Sequence, residues 1–422
     1  MTIRRVLGNT GWLLSGKGVN AALSLIYLAL ATRALGLEDY GRFALVVSLA
    51  QAITGIVTFQ AWQLVVRWGA EPLAAGRTAD LEAVTGFAFA LDLASLVGGS
   101  FLSVATIFLA GHLLGIEPGS ETAMILFCLA MMLTIRSTPI GILRLHGRYD
   151  LAAAADAVTP LIRAAGAGIV SLTAPGLVAF LAVWAVAELL ASAAFWYFAM
   201  RLQSFHRNDI SLITLPRREP GLWRFAWSTN LSAVLSLSGK QIVTLIVGAA
   251  GGPAVAGGYR VASQLGQATL KLGQSLGRAI YPELVRNGEH AAKGLVRQAT
   301  RLSTGVAVLT IAIALLLGEP LINLIAGPDF AFAVTPMQLL AVAAGIELIG
   351  ASWENLLVAR GQAGTAFILR AIPFVALFAS LPVIVPRLGL DAAAGAVACA
   401  SLWAVISFVL ACRHRPVAAP VA

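Results

Sequence analysis

The sequence predicts an all-α integral membrane protein with about twelve transmembrane helices in two halves of the same topology. Three observations support this prediction: the composition, the length of the apolar segments and a repeat between the two halves. Of the 422 residues, 59% are hydrophobic and 12% are charged, and the mean hydropathy is +0.85. Soluble domains are about one quarter charged, so we expect lipid to surround most of this chain.

The apolar segments are long enough to span a bilayer, which takes about 20 residues. Breaks rich in glycine, proline and acidic residues separate them. The segments lie at residues 10–34, 40–66, 83–111, 121–146, 151–172, 177–200, 222–249, 255–284, 300–326, 334–359, 364–386 and 391–411. We interpret the first as an uncleaved span rather than a signal peptide, because it is long and contains Lys17 and Asn20.

Lysine and arginine at or beyond the ends of these segments lie almost entirely on one side of the predicted membrane. With the N-terminus in the cytoplasm, only Arg33, Arg42 and Arg387 fall on the outer side. Cations concentrate in cytoplasmic loops, so both termini are predicted to be cytoplasmic. The formal net charge of +9 is explained in the same way, and we expect no nucleic-acid partner.

The longest polar connection divides the apolar segments into two groups. We therefore predict an N-terminal six-helix lobe at residues 1–200, a cytoplasmic linker at 201–221 and a C-terminal six-helix lobe at 222–422.

An internal repeat supports this division. LGLEDYGRFALVVSLAQ, which begins at residue 35, aligns with GGPAVAGGYRVASQLGQ, which begins at residue 251. Gly36 then matches Gly252, and Gln51 matches Gln267. Such a repeat relates two halves of equal topology by an axis along the membrane normal.

The segment YRVASQLGQATLKLGQSLGRAIYPEL, residues 259–284, carries polar and cationic side chains at steps of four and three. On an α-helix this spacing places them on one face. The six residues are Arg260, Gln264, Gln267, Lys271, Gln274 and Arg278. Arg260 and Arg278 lie near the two ends and can instead snorkel to the interfaces. A water-filled groove accounts for all six together, with Gln51 on the matching face of the second span.

Further ionisable residues lie within the predicted spans, where such residues normally face a cavity or a charged partner. The cations are Lys17, Arg136, Arg163, Lys240 and Arg370, and the acids are Asp92, Asp156, Glu188, Glu347 and Glu354. Arg136 and Arg163 lie nearest to mid-span, together with Lys271 of the polar face. Lys17 and Arg370 are close enough to the cytoplasmic side to snorkel.

The acids of the tenth span permit two interpretations. Glu347 and Glu354 are seven residues apart and share a helix face. They either pair with a cation such as Lys271 or Arg370, or take part in proton or cation coupling. On the fifth span, Asp156 and Arg163 also share a face, so Asp156 can join a charge network there.

No motif for enzyme chemistry is present in the sequence. It contains no P-loop, no nucleophile elbow and no dinucleotide-binding fingerprint. Cys128, Cys399 and Cys412 are far apart, and the five histidines do not cluster with acids. We therefore expect no catalytic residues, no metal site and no cofactor.

The polar residues of the spans indicate the chemistry of a ligand. A cavity lined by cations stabilises an anion, and arginine offers the forked donors that suit phosphate. Asparagine and glutamine on the same walls, such as Asn20 and Gln264, suit a ligand rich in hydroxyl groups. The residues alone thus favour an anionic substrate that bears sugar.

The stretch RALGLEDYGRF, residues 33–43, has the pattern Arg-x-Leu-Gly-x-x-x-Tyr-Gly-x-Phe just after the first span. It resembles the polysaccharide transporter family of O-antigen and exopolysaccharide flippases, whose superfamily includes multidrug exporters and the lipid II flippase. GILRLHGRYD at 141–150 is similar to the end of that family's fourth helix. GGYRVASQLGQ at 257–267 and AIYPEL at 279–284 are similar to its eighth helix.

This resemblance implies two six-helix lobes around a central cavity, in a bacterial inner membrane. It implies a protein that is not an enzyme and that flips undecaprenyl-diphosphate-linked oligosaccharides to the outer leaflet by alternating access. Cavity cations would hold the diphosphate, and by position the candidates are Lys271, Arg163, Lys240 and Arg136. Membrane lipids, a polysaccharide polymerase and other assembly proteins are the implied partners. Lys240 departs from the family pattern, since many relatives carry an acid there.

Two other classes of function stay open. A multidrug or metabolite exporter would share the fold, although exporters of cationic drugs need acidic cavities and the excess here is positive. A glycan polymerase or ligase would need a large outer loop, and no predicted outer loop exceeds roughly a dozen residues, a length typical of plain connections.

Overall fold

The computed structural model is helical throughout nearly all of the chain that it describes. It describes residues 3–111, 119–204, 209–266, 288–360 and 362–414. Within these ranges the secondary structure consists of helices and turns, without a β-strand. The chain forms two compact units, Met1–Ile242 and Val243–Ala422, and each is taken by itself below.

The first unit contains eight helices and most of a ninth within its described residues. They are α1 (Ile3–Val57), α2 (Ala61–Ala74), α3 (Thr78–Ala110), α4 (Glu121–Met132), α5 (Ser137–Leu145), α6 (Tyr149–Thr173), α7 (Leu177–Leu202), α8 (Thr214–Arg218) and α9 (Leu222–Gly251). The second unit begins within α9. It continues with α10 (Pro253–Gly266), α11 (Gly288–Ile325), a 3₁₀ turn (Pro328–Ala333), α12 (Val334–Ala359) and α13 (Ala363–His414).

Eight helical stretches of the described chain are long and apolar enough to cross a membrane. Two of them, Val19–Ala74 and Gly364–Arg413, are 56 and 50 residues long, more than twice what one crossing needs. The all-α membrane fold predicted from the sequence is therefore confirmed. The predicted eighth span, 255–284, is described only as far as Gly266.

Each of the two longest stretches reverses direction at a glycine. In α1, Gly36 has φ 70°, and the rings of Tyr27 and Phe43 on either side are 6.4 Å apart. A straight helix would separate these two residues by roughly 24 Å. In α13, Gly389 has φ 78°. Such positive φ values are readily adopted only by glycine.

The motif around Gly36 forms the tight core of this reversal. Tyr40 and Phe43 are each 1% exposed, and their rings are 5.9 Å apart. Phe43 also packs edge-on against Trp184 of α7 at 5.7 Å. At the turn itself, Arg42 pairs with Asp39 at 3.2 Å. The residues that carry the family resemblance thus fold α1 back and attach it to α7.

The predicted repeat has a local counterpart in the backbone. Gly36 and its sequence match Gly252 have φ values of 70° and 86°. Gly119 and Gly327, which precede α4 and the 3₁₀ turn before α12, have φ values of 94° and 97°. Turns of the same kind therefore recur in the same order in both units.

Two predicted spans are each divided into two helices. The second span is interrupted at residues 58–60, between α1 and α2, and the fourth at residues 133–136, between α4 and α5. The sequence predicts one continuous helix at 40–66 and another at 121–146. Pro139 explains part of the difference, because proline fits the first turn of a helix but disrupts the interior of one.

Side chains from neighbouring helices complete the hydrogen bonds at these interruptions. Ser95 of α3 donates its hydroxyl to the carbonyl of Val57 at 2.7 Å, at the end of α1. Ser137 accepts from the backbone N–H of Trp62 at 3.1 Å, at the start of α2. A membrane supplies no water for such groups, so internal partners are required.

The short helices α2 and α5 lie in close contact. A Cβ atom added to Gly141 of α5 would lie 2.8 Å from Cβ of Val65 and 2.9 Å from Cα of Trp62. Glycine is thus the residue that permits this approach. At the other end of α5, Arg148 bonds both carboxylate oxygens of Asp150, at 3.0 and 2.8 Å, and this pairing raises the pKa of Arg148.

The predicted linker contains a short helix, and the helix that follows it belongs largely to the first unit. Leu215 of α8, together with Leu222 and Ala226 of α9, packs in one apolar cluster with Phe87 of α3. The unit boundary after Ile242 consequently lies inside α9. The division into lobes at 1–200 and 222–422 stays a prediction.

Candidate functional site

A shared ion pair lies within the first unit, near the middle of α7. Oε2 of Glu188 is 2.9 Å from Nη1 of Arg136, and Oε1 is 2.7 Å from Nη2 of Arg163. Glu188 lies in α7, roughly 16 Å along the helix from Leu177 and roughly 21 Å from Leu202. One carboxylate in mid-span therefore serves two arginines.

Aromatic rings of α7 support both guanidinium groups. Cζ of Arg163 lies 3.2 Å from the ring centroid of Trp184, and Cζ of Arg136 lies 5.5 Å from that of Phe195. Residues 184, 188 and 195 fall on one helix face, because they are four and seven residues apart. Cation–π contacts of this type strengthen when they are shielded from water.

The two arginines reach Glu188 from different local structures. Arg163 lies in α6, whereas Arg136 is the residue just before α5, with φ −140° and ψ 32°. The interruption of the fourth span thus places Arg136 at the start of the short helix α5, where the helix dipole is positive. Asp156 lies on the same face of α6 as Arg163, and it interacts electrostatically with Arg136 and Glu188.

A buried carboxylate caps the half-helix α5 next to this site. Oδ2 of Asp92 accepts the backbone N–H of Thr138 at 2.8 Å, and Asp92 is 4% exposed. The first-turn N–H groups of a helix lack partners within the helix. Asp92 supplies such a partner and thereby holds the start of α5, and with it Arg136, in place.

The second unit has a separate charge cluster. Oε2 of Glu354 pairs with Nη2 of Arg370 at 2.7 Å, which is one of the two alternatives that the sequence left open. Seven residues earlier, Glu347 accepts the hydroxyl of Ser401 at 3.1 Å. The charge of Glu347 also acts on Glu354. A coupling role for Glu347 and Glu354 stays a prediction.

The remaining predicted site residues divide into described and undescribed ones. Arg260 is 6% exposed, whereas Gln264, one turn later on the predicted polar face, is exposed. Asn20, Gln51 and Lys240 are half-buried. The side chain of Lys17 lies outside the described residues. Four further predicted positions lie outside them entirely: Gln267, Lys271, Gln274 and Arg278. Their roles stay predictions.

The sequence indicates Arg136 and Arg163 as candidates but predicts no role for Glu188. The one sequence signal for Glu188 is that it is an acid within the predicted sixth span. The pairings join residues 52 and 25 positions apart, so no local spacing reveals them.

The chain is similar in sequence to a known protein family and to a bacterial membrane protein. The family described as "Polysaccharide biosynthesis protein" matches residues 6–287. "Inner membrane protein YghQ" of Escherichia coli (strain K12) is 31% identical over 337 residues, which are 78% of this chain and 94% of that protein. The chain is thus similar to a protein of the inner membrane.

Solved structures show the same fold at low sequence identity. An inward-facing conformation of a multidrug resistance MATE family transporter of the MOP superfamily matches with a TM-score of 0.70 at 16% identity, covering 93% of this chain and 94% of that one. The eukaryotic MATE transporter AtDTX14 matches with a TM-score of 0.60 at 14% identity, covering 95% and 92%. The structure thus shares the fold of these transporters, as the sequence resemblance implies. On the family match and the relative together, this chain belongs to the polysaccharide biosynthesis protein family.

Proposed function

We propose that this protein is a flippase, which moves an undecaprenyl-diphosphate-linked oligosaccharide from the cytoplasmic to the outer leaflet of a bacterial inner membrane. Family membership supports a role in polysaccharide assembly, and the fold supports transport by a flippase or exporter. An anionic substrate is supported by one observation above all. Two mid-span arginines, Arg136 and Arg163, share the single carboxylate of Glu188, so positive charge is in excess there.

The diphosphate is the part of the substrate that these arginines suit. A guanidinium binds phosphate through two parallel N–H donors and keeps its charge in a membrane. Lys271 and Lys240 are the further candidates for the same group, on the grounds of their position in the sequence. In alternating access, the two lobes rock around the bound headgroup and expose it to each side in turn.

Orientation and partners follow from the same proposal. The excess of cations on one side of the spans supports cytoplasmic N- and C-termini. A flipped repeat unit must then be polymerised at the outer leaflet. A polysaccharide polymerase and other assembly proteins are therefore the proposed partners, in addition to the lipid-linked oligosaccharide and membrane lipids.

The second candidate is a multidrug or metabolite exporter, since the solved structures named above are described as multidrug transporters. At 16% identity that likeness concerns the fold. A cationic drug would meet unfavourable charge at Arg136 and Arg163. Drug-dependent protection of growing cells would favour this candidate, and glycan transfer by the purified protein would favour a polymerase or ligase instead.

The test measures translocation of lipid-linked repeat units in cells that carry Arg163→Ala, Lys271→Ala or both. We expect each single change to reduce translocation and the double change to abolish it at normal expression. Arg77→Ala is the matched control, because Arg77 is half-exposed and pairs with Glu71 at the surface. Undiminished export by the double variant would contradict the cation-based mechanism.

A further inference from the structure

The carboxylate of Glu188 forms ion pairs with Arg136 and Arg163, the two arginines that the proposed function assigns to the diphosphate. The geometry points to Glu188 as an internal counter-ion, which holds Arg136 and Arg163 when no substrate is bound and which an incoming diphosphate displaces. This inference rests on the proposed function for the identity of the anion. The inference gives Glu188 a role that the proposed function lacks, because competition from Glu188 sets how tightly the anion is bound and how readily it is released.

The contacts of Glu188 suit such an exchange. Its two oxygens are divided between the arginines, with Oε2 on Arg136 and Oε1 on Arg163. A diphosphate carries more oxygens and more negative charge than one carboxylate. It can therefore accept from both guanidinium groups at once and replace both contacts.

The arginines are held by features other than Glu188. Trp184 lies 3.2 Å from Cζ of Arg163, and Phe195 lies 5.5 Å from Cζ of Arg136. The backbone of Arg136 is also anchored directly before α5, whose first turn is capped by Asp92. We therefore expect the cationic site to persist when the carboxylate is displaced or neutralised.

The site also remains accessible and positively charged. The side chains of Arg136, Arg163 and Glu188 are 21%, 16% and 14% exposed, so none of the three is sealed inside the protein. From the elements next to α7, Asp156 of α6 and Arg144 of α5 add one negative and one positive charge nearby. Positive charge thus stays in excess by one within the described cluster. Removing the charge of Glu188 would increase this excess.

The experiment measures binding of inorganic pyrophosphate to the full chain in detergent by isothermal titration calorimetry. Glu188→Gln keeps the size of the side chain and removes its charge. We expect this variant to bind pyrophosphate about tenfold more tightly than the unmodified protein, because one competing charge a few ångströms from the anion is gone. Adding Arg136→Gln to Glu188→Gln should return the affinity towards that of the unmodified protein.

Two further variants make the result specific. Glu71→Gln removes a carboxylate that is 83% exposed and pairs with Arg77, and it should leave the affinity unchanged. If Glu188→Gln does not yield folded protein, Glu188→Asp takes its place. Its carboxylate is one methylene shorter and reaches the two arginines less well, so we expect a smaller gain of about threefold.

A parallel titration with farnesyl diphosphate distinguishes a free anion from a lipid headgroup. A gain with both ligands indicates recognition of the diphosphate alone, and a gain only with farnesyl diphosphate indicates that the lipid is also required. Equal or weaker binding of both ligands by the variant would overturn the inference. That result leaves the flippase proposal intact if the unmodified protein translocates lipid-linked repeat units. Tighter binding by Glu188→Gln, together with an unmodified protein that translocates no repeat units, would contradict the flippase proposal alone.

Discussion

The carboxylate of Asp92 in α3 accepts a 2.8 Å hydrogen bond from the backbone N–H of Thr138, the second residue of α5. The two residues are 46 positions apart, and Asp92 is 4% exposed. A membrane-spanning segment that stops and restarts leaves backbone donors without partners, and the bilayer supplies none. The side chain of one helix thus makes the interruption of another possible.

Replacement of Asp92 is expected to destabilise the protein. Asp92→Leu removes the acceptor and should lower the free energy of unfolding by about 1–3 kcal/mol. Asp92→Asn should cost less, because its amide oxygen still accepts from Thr138. Chemical denaturation in detergent measures both. Asp80→Asn, at the half-exposed start of the same helix, should be near neutral, and an Asp92→Leu protein of unchanged stability would disprove the capping role.

Replacement by alanine should affect the free energy of unfolding differently at two glycines, Gly36 and Gly168. Gly36 has φ 70° and ψ −175°, a backbone region essentially restricted to glycine, so Gly36→Ala should cost about 1–3 kcal/mol. Gly168 lies inside α6 with open space around it, so Gly168→Ala should be neutral or stabilise by up to about 1 kcal/mol. Unfolding curves of the two variants compare them directly. Equal effects would refute the strain argument at Gly36.

The ion pair of the second unit should show measurable coupling. Glu354 and Arg370 are 2.7 Å apart and retain 23% and 29% exposure. A double-mutant cycle with Glu354→Gln and Arg370→Gln should give a coupling energy of about 1–2 kcal/mol, less than a fully buried pair because of partial exposure. Thermal unfolding at matched detergent concentration supplies the four stabilities. Additive single effects would show that the pair contributes nothing beyond its separate residues.

Arginine and lysine should not be equivalent at position 163. Arg163 stacks on Trp184 at 3.2 Å while it bonds Glu188 at 2.7 Å. Lysine has no planar group that could lie on the indole ring while it donates to Glu188. We expect Arg163→Lys to lower the rate of lipid-linked glycan translocation by about tenfold, with Arg163→Gln lower still. Expression of both variants is verified by immunoblot, and a lysine variant as active as arginine would argue against the stacking role.

The parts of the fold that depend on local chemistry can be predicted from the sequence. The composition and segment lengths indicated a helical membrane protein. The sequence match of Gly36 to Gly252 corresponds to two turns with positive φ in the structure. The interruptions at residues 58–60 and 133–136 were missed. Apolar content alone does not distinguish one continuous helix from two that are capped by other helices.

The candidate site was only partly predictable. Arg136 and Arg163 stand out because cations are costly within a span. Their convergence on Glu188 depends on how α6 and α7 rotate against each other, and on where the fourth span is interrupted. The pairing of Glu354 with Arg370 was one alternative among several, since the partner of a buried acid is set by packing.

The sequence by itself determined that this chain is a multi-pass helical membrane protein with unusual charge inside its spans, because hydropathy and residue type act position by position. It also determined the family, through the motif around Gly36 and Tyr40. Only the tertiary structure decided that one carboxylate, Glu188, is shared by two arginines, and that Asp92 caps a helix 46 residues away. Those relationships join distant positions, and they exist only once the helices have packed at a definite rotation and depth.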